Sequence, residues 1–221
     1  MKLTIFNGSP RFKKSNSHIL TEHFLRGFHS INADAEVKIC YLSRTSQLNE
    51  HIEIFRQTTD AIIILPLYTD CMPGIVKEFF EHLPPGDCTN SKNLGFIVQS
   101  GFPEAIHSIY LERYLSKLTQ RLRYNYLGTV IKGGVEGISV QPPLMTKELF
   151  NTFHKLGEHF AKTNEFHQEL VKKMRTPLKM SSVGRLFFRA MLLTGLPNFY
   201  WRSNLKKHGA YNQKDNRPYA P

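Results

Sequence analysis

Two hydrophobic rhythms alternate along the first three quarters of the chain. Short runs of strand character lie at residues 2–6, 36–42, 61–65, 94–99 and 127–131. The run at 61–65 is continuously apolar and holds three isoleucines, the pattern of a strand buried on both faces. Between these runs the apolar positions recur every three or four residues. Leu20, Phe24 and Phe28 mark a helix that Ser17 can cap, and residues 49–57 form a second. Pro73-Gly74 opens a third, with Ile75, Val76, Phe79, Phe80 and Leu83 at core spacing, and Pro84-Pro85-Gly86 stops it. Ile106, Tyr110, Tyr114, Leu118 and Leu122 lie in register on a fourth, and Leu149, Phe153, Leu156 and Phe160 on a fifth over residues 147–160. Five strands alternating with five helices predict an α/β fold, a doubly wound parallel sheet with helices on both faces. Ligands of such sheets bind beyond the carboxyl ends of the strands, so the loops after strands one, three, four and five are where chemistry is expected.

A chain of 221 residues suits one domain and an extension. Its 41% hydrophobic and 21% charged content is that of a globular protein. The formal charge of +11 is unevenly placed: eleven of the 29 Lys/Arg and one of the 18 acids fall from Lys172 onward, leaving +1 for everything before. The shift predicts a domain over 1–171 and a basic extension over 172–221. Within the extension, residues 181–194 read as an amphipathic helix with Val183, Leu186, Phe187, Ala190 and Met191 on one face and Arg185 and Arg189 off it. Phe199-Tyr200-Trp201-Arg202 follows, holding the only Trp. That much apolar surface wants a partner. It is expected to pack on its own core or across a homodimer; an anionic membrane surface is the second reading. Nucleic acid is not expected, since no reading motif is present.

Cys40, Cys71 and Cys88 have no C-x-x-C spacing, and His18/His23 and His154/His159 are each five apart, off a common helix face, so no metal site is expected. An odd cysteine count, an N-terminus too briefly apolar for a signal peptide, and no apolar run near the ~20 residues of a spanning helix point to a cytoplasmic protein. Cys71 sits in a candidate ligand loop, where it is either a packed thiol or a redox group.

The first loop, Asn7-Gly8-Ser9-Pro10-Arg11-Phe12-Lys13-Lys14-Ser15-Asn16-Ser17, matches neither G-x-G-x-x-G nor G-x-x-x-x-G-K-[ST]. Its small and hydroxylated residues still suit an anion at a helix N-terminus, and Arg11 suits a phosphate. Ordinary capping by Ser15 or Ser17 is the plainer alternative. The loops Pro66-Leu67-Tyr68-Thr69-Asp70-Cys71-Met72-Pro73-Gly74 and Gln99-Ser100-Gly101-Phe102-Pro103-Glu104 combine glycine, proline and aromatics, which suits a flat ring. Lys132-Gly133-Gly134-Val135-Glu136-Gly137 ends the fifth strand on permissive backbone.

Asn7-Gly8-Ser9-Pro10-Arg11 after a first strand, and Pro66-Leu67-Tyr68 with Met72-Pro73-Gly74-Ile75-Val76-Lys77 after a third, resemble the NADPH-dependent FMN reductase family over about residues 1–165. The resemblance implies a flavodoxin-like fold, bound FMN, NAD(P)H as donor and a small-molecule electron acceptor such as a quinone or flavin. It implies a phosphate loop at Ser9, Pro10, Arg11, Ser15, Asn16 and Ser17. Flavin contacts fall on Pro66, Leu67, Tyr68 and Met72, and on Ser100, Gly101 and Phe102 beside the ring. Lys13 and Lys14 stand where many members carry a glycine. The missing cysteine cluster excludes the iron–sulfur branch. The implied reaction passes hydride from a reduced nicotinamide to the flavin N5 and then to the acceptor, with no catalytic side chain required. A non-enzymatic electron carrier, or a membrane- or partner-binding module on the same fold, is the alternative.

Overall fold

The computed structural model describes residues 2–86, 92–193 and 198–216. Strands β1 (Lys2–Asn7), β2 (Glu36–Tyr41), β3 (Asp60–Pro66), β4 (Asn93–Gln99) and β5 (Asn125–Lys132) form one sheet in the order β2-β1-β3-β4-β5, every neighbouring pair parallel. This is the flavodoxin-like order, and the chain reverses its direction of winding between β1 and β3. The helices α1 (Asn16–Ile31), α2 (Leu48–Gln57), α3 (Gly74–Glu81), α4 (Ile109–Arg121) and α5 (Pro143–Thr163) cover the two faces, and α6 (Gln168–Met174) follows.

Alternation along each strand sorts the core into two layers. Leu3 and Ile5 of β1 and Ile62 and Ile64 of β3 pack with Leu20, Phe24, Phe28, Phe153, Leu156 and Phe160 of α1 and α5. Phe6, Ile63 and Leu65 point the other way, toward Phe55 of α2 and Val76, Phe79 and Phe80 of α3. The Phe6 ring lies 5.0 Å from Phe79 and 5.7 Å from Phe55. Burying a side chain of this size contributes roughly 1.5–3 kcal/mol, so these layers dominate the stability. α1 and α5 cross with backbones almost touching: a Cβ on Gly27 would meet the His154 carbonyl, and one on Gly157 would meet the Phe24 carbonyl. At the amino edge of the sheet, Asp60 Oδ1 accepts from Asn93 Nδ2 (2.7 Å) and Asn164 Nδ2 (2.6 Å), a structural clamp opposite the candidate site.

Two expectations change. The cap of α1 is Ser15, whose Oγ accepts from His18 N–H at 3.1 Å, and not Ser17. The inward face of α4 is Leu111, Leu115 and Thr119; Tyr110 and Tyr114 are exposed, because one step around the helix a purely aliphatic pair is available and the phenols keep their hydroxyls in water. By its contacts the chain divides into two compact units, Met1–Lys179 and Met180–Pro221. The basic start of the extension belongs to the first unit, where Met174 is buried in the α1/α5 layer. The second unit holds α7 (Ser182–Leu193), α8 (Phe199–Lys207) and a short turn, Tyr211–Gln213. Among the described residues no helix is long and apolar enough to cross a membrane.

Candidate functional site

The four loops expected to carry chemistry meet at the carboxyl edge of the sheet, and hydrogen bonds tie them together. Asn16 Nδ2 donates to Val135 O at 2.8 Å, joining the start of α1 to the loop after β5. Gln99 Nε2 reaches Ser17 Oγ at 3.4 Å, joining β4 to α1. Leu67 N–H donates to Gln99 O at 2.8 Å, and Val135 N–H to Ser100 O at 3.0 Å.

The first loop is wound around its own polar groups. Asn7 Oδ1 accepts from Ser9 N–H (3.0 Å), and Ser9 Oγ from Arg11 N–H (3.4 Å). Phe12 takes the left-handed region at φ +52°. Ser15 Oγ donates to Phe12 O at 2.6 Å while capping α1, so that hydroxyl is committed to structure. What stays available is a set of donors. The N–H groups of Asn16 and Ser17 are in the first helical turn and have no acceptor among the described residues. Asn7 Nδ2 is buried and unpartnered. Arg11 is exposed and makes no described ion pair. Amides, an orphaned carboxamide donor and a guanidinium with no acid among them fit a phosphate monoester.

The loop after β2, which was not among those expected to carry chemistry, also reaches this place. Asn7 pairs with Tyr41 in the sheet register. The Tyr41 ring lies 4.4 Å from Phe12, its Oη 3.0 Å from His18 Nδ1, and the Arg44 guanidinium sits 4.9 Å over Phe12. Burial pushes the Tyr41 phenol up from its usual value. Lys13, its Nζ 5.9 Å from the Phe12 centroid, and Arg44 thus share the Phe12 ring.

Pro66, Leu67 and Met72 are buried beneath the rim, and Tyr68 is 44% exposed at it. Tyr68 and Cys71 exchange backbone hydrogen bonds of 2.8 and 3.0 Å around Thr69 (φ +48°) and Asp70 (φ +62°). Two left-handed residues in succession make a tight primed turn, and a β-branched Thr there stores roughly 1–3 kcal/mol of strain. The turn leaves Cys71 exposed and unbonded to sulfur, not packed. Cys40 is buried, which pushes its thiol up to about 11; Cys88 lies outside the described residues.

In the neighbouring loop, Ser100 N–H is spent on Lys132 O (3.0 Å), and its Oγ donates to Phe102 O (3.2 Å). The amides of Gly101 and Phe102 have no described acceptor, and Phe102 is 50% exposed. Its ring lies 4.5 Å from His107, whose Nε2 is 3.6 Å from Glu104 and whose Nδ1 is 3.9 Å from Asp70. His107, separated from Asp70 by a whole strand, bridges the two aromatic loops. The arrangement offers two exposed rings, two free amides and an anion-binding helix start along one edge. Of the thirteen expected residues, Ser15, Asn16, Ser17, Pro66, Leu67 and Met72 are buried and support this edge, and Arg11, Tyr68, Gly101 and Phe102 are exposed along it. Ser9 and Ser100 shape its turns, and Pro10 is exposed beside Arg11. No group of three or more metal-binding side chains is found among the described residues.

No protein-family model matches the chain, and no curated protein matches it in sequence. Solved structures do share its fold. An NAD(P)H:quinone oxidoreductase from Methanothermobacter marburgensis superposes with a TM-score of 0.57 at 14% identity, over 76% of this chain and 97% of that one. An FMN-dependent NADH-azoreductase from Bacillus anthracis, in complex with FMN, gives 0.55 at 17% identity, over 73% and 98%. An NADH:FMN oxidoreductase in its apo form gives 0.53 at 15% identity, over 83% and 93%. Identities this low establish a common flavodoxin-like architecture.

Proposed function

We propose that this chain is an FMN-dependent oxidoreductase that takes electrons from NAD(P)H and passes them to a small-molecule acceptor such as a quinone or flavin. The observation that carries the reading is the set of unspent donors at Asn7, Arg11, Asn16 and Ser17, in the fold shared with reductases whose names specify FMN or NAD(P)H. Charge-assisted hydrogen bonds of this kind contribute roughly 1.5–3 kcal/mol each, so two or three suffice to anchor a monoester. When bound, FMN supplies the hydride chemistry. The protein supplies position: the exposed Tyr68 and Phe102 rings would hold the flavin, and the unspent Gly101 and Phe102 amides would be the donors for the negative charge that develops on reduction. Arg11, Lys13, Lys14 and Arg44 favour NADPH over NADH, because the extra phosphate is drawn to positive charge. A homodimer belongs to the same reading and is tested by the mass in solution.

The test is the visible spectrum of protein incubated with FMN and desalted, followed by steady-state oxidation of NADPH and NADH with a quinone at low and high salt. A retained flavin spectrum and NADPH turnover that falls toward the NADH rate as salt rises are expected. Retained flavin without turnover makes the protein an electron carrier. No retained flavin removes the reading altogether.

A further inference from the structure

The second unit carries a surface that the redox chemistry does not use. On α7, Val183 is 78%, Leu186 69% and Leu193 91% exposed, and on α8 Trp201 is 62% exposed. At 100° per residue, Val183, Leu186 and Leu193 fall within about 80° of one another on the α7 wheel, and Arg189 and Arg185 follow on one side at about 40° and 80° from its edge. Over Met180–Pro221 the sequence has seven Lys/Arg and one acid, Asp215, which pairs with Lys214, a net charge of +6. Neither arginine of α7 has a described ion pair; the hydrogen bond recorded for Arg185 runs to Ser182 Oγ at 3.3 Å.

We propose that α7 and α8 are an interfacial membrane-binding element that docks on an anionic lipid surface. Two independent observations select that partner. The net positive charge complements a negatively charged headgroup layer. The aliphatic side chains at α7 and the tryptophan at α8 have the pairing of apolar body and basic border that lies in the headgroup–acyl boundary, with arginine stems extending toward the phosphates. A nucleic acid would engage the cations and leave Leu193 and Val183 with nothing to cover them. A second copy of the chain would cover the leucines but bring six like charges against six. With two short helices the element lies on the surface and does not span it.

The test uses the full chain and vesicles of neutral phosphatidylcholine or of phosphatidylcholine mixed with anionic phosphatidylglycerol. Co-sedimentation with the anionic vesicles only, reversed by high salt, is expected. Trp201, the only tryptophan, reports directly: its emission shifts to the blue on adding anionic vesicles and not neutral ones. Leu186→Glu with Leu193→Glu abolishes both signals with every cation retained, and Arg185→Gln with Arg189→Gln weakens partitioning by roughly fivefold per cation. Thermal melting of each variant checks that the first unit is intact. Absence of sedimentation with anionic vesicles overturns the proposal. So does binding that the leucine substitutions leave unchanged, which marks charge attraction alone. A self-association lost in the leucine variants without vesicle binding assigns the face to a second copy, and displacement of Trp201 emission by RNA but not by vesicles assigns it to nucleic acid; either result also overturns it.

Discussion

Replacing Gly27 by alanine separates tertiary packing from helix propensity by the sign of its effect. In an exposed helix interior, Gly→Ala stabilises by about 1 kcal/mol. At Gly27 the new Cβ would lie 2.6 Å from the His154 carbonyl carbon and closer still to its oxygen, and these are backbone atoms of α5 that no rotamer change can move. Ordinary contact begins near 3.4 Å, so the helices must part by about 0.8 Å for the carbon alone. Overpacking of this kind costs about 3 kcal/mol at the upper end of its range, which leaves a net loss of about 2 kcal/mol after the propensity gain. For a chain of this size that lowers Tm by roughly 4–8 °C. Gly157→Ala meets the Phe24 carbonyl and the Phe28 nitrogen, the latter at 2.8 Å, and behaves alike. Gly74→Ala is the control, since nothing lies within 4 Å of its Cβ; its melting point is unchanged or raised. Because α1 begins at the candidate phosphate site, Gly27→Ala also weakens FMN uptake. Urea and thermal unfolding of the three variants decide the matter. A Gly27→Ala protein as stable as the parent, or a Gly74→Ala protein as damaged as Gly27→Ala, refutes the backbone-contact crossing.

Asn16→Ala leaves the buried Val135 carbonyl without its donor and is expected to cost about 1–3 kcal/mol in urea unfolding, with FMN affinity falling as the first and fifth loops lose their tie. His23 and His51 are both held below the usual 6.5 by burial. The folded state therefore binds fewer protons than the unfolded one, so the stability they confer is full above about pH 6.5 and is lost as pH falls through the lowered values. Tm should drop between pH 7 and 5, and the double variant His23→Gln, His51→Gln should flatten that drop. An unflattened profile assigns the acid sensitivity to other groups.

Much of this arrangement is legible from residue order. Strand alternation at Leu3, Ile5 and Phe6 already sorts the two core layers, and the unbroken apolar run 61–65 marks a central strand. Periodicity could not choose the inward face of α4, because Tyr110/Tyr114 and Leu111/Leu115 repeat at the same spacing and only the tyrosines' need for water breaks the tie. The loops after β1, β3, β4 and β5 followed from the rule about carboxyl ends. The part played by Tyr41 and Arg44 did not, since it depends on β2 lying beside β1 as the edge strand. His107 was invisible for a similar reason: it is more than 30 residues from Asp70 and meets it only because β3 and β4 are neighbours. The signal that could have found Arg44 is the clustering of cations near the first loop once the strand order is assumed. Ser15 rather than Ser17 caps α1 because the N-cap hydroxyl reaches the amide three residues on, and the choice between two nearby serines turns on the left-handed Phe12 that no pattern reveals.

The most direct measurement is a paired titration of the protein with FMN and with riboflavin, which differ only by the phosphate, following the quenching of flavin fluorescence. With two or more charge-assisted hydrogen bonds at the first loop, FMN should bind at least about a hundredfold more tightly than riboflavin, and Arg11→Ala should remove much of that difference while leaving riboflavin affinity unchanged. Equal affinities for the two flavins, or no saturable uptake of FMN, would contradict a phosphate grip at the start of α1.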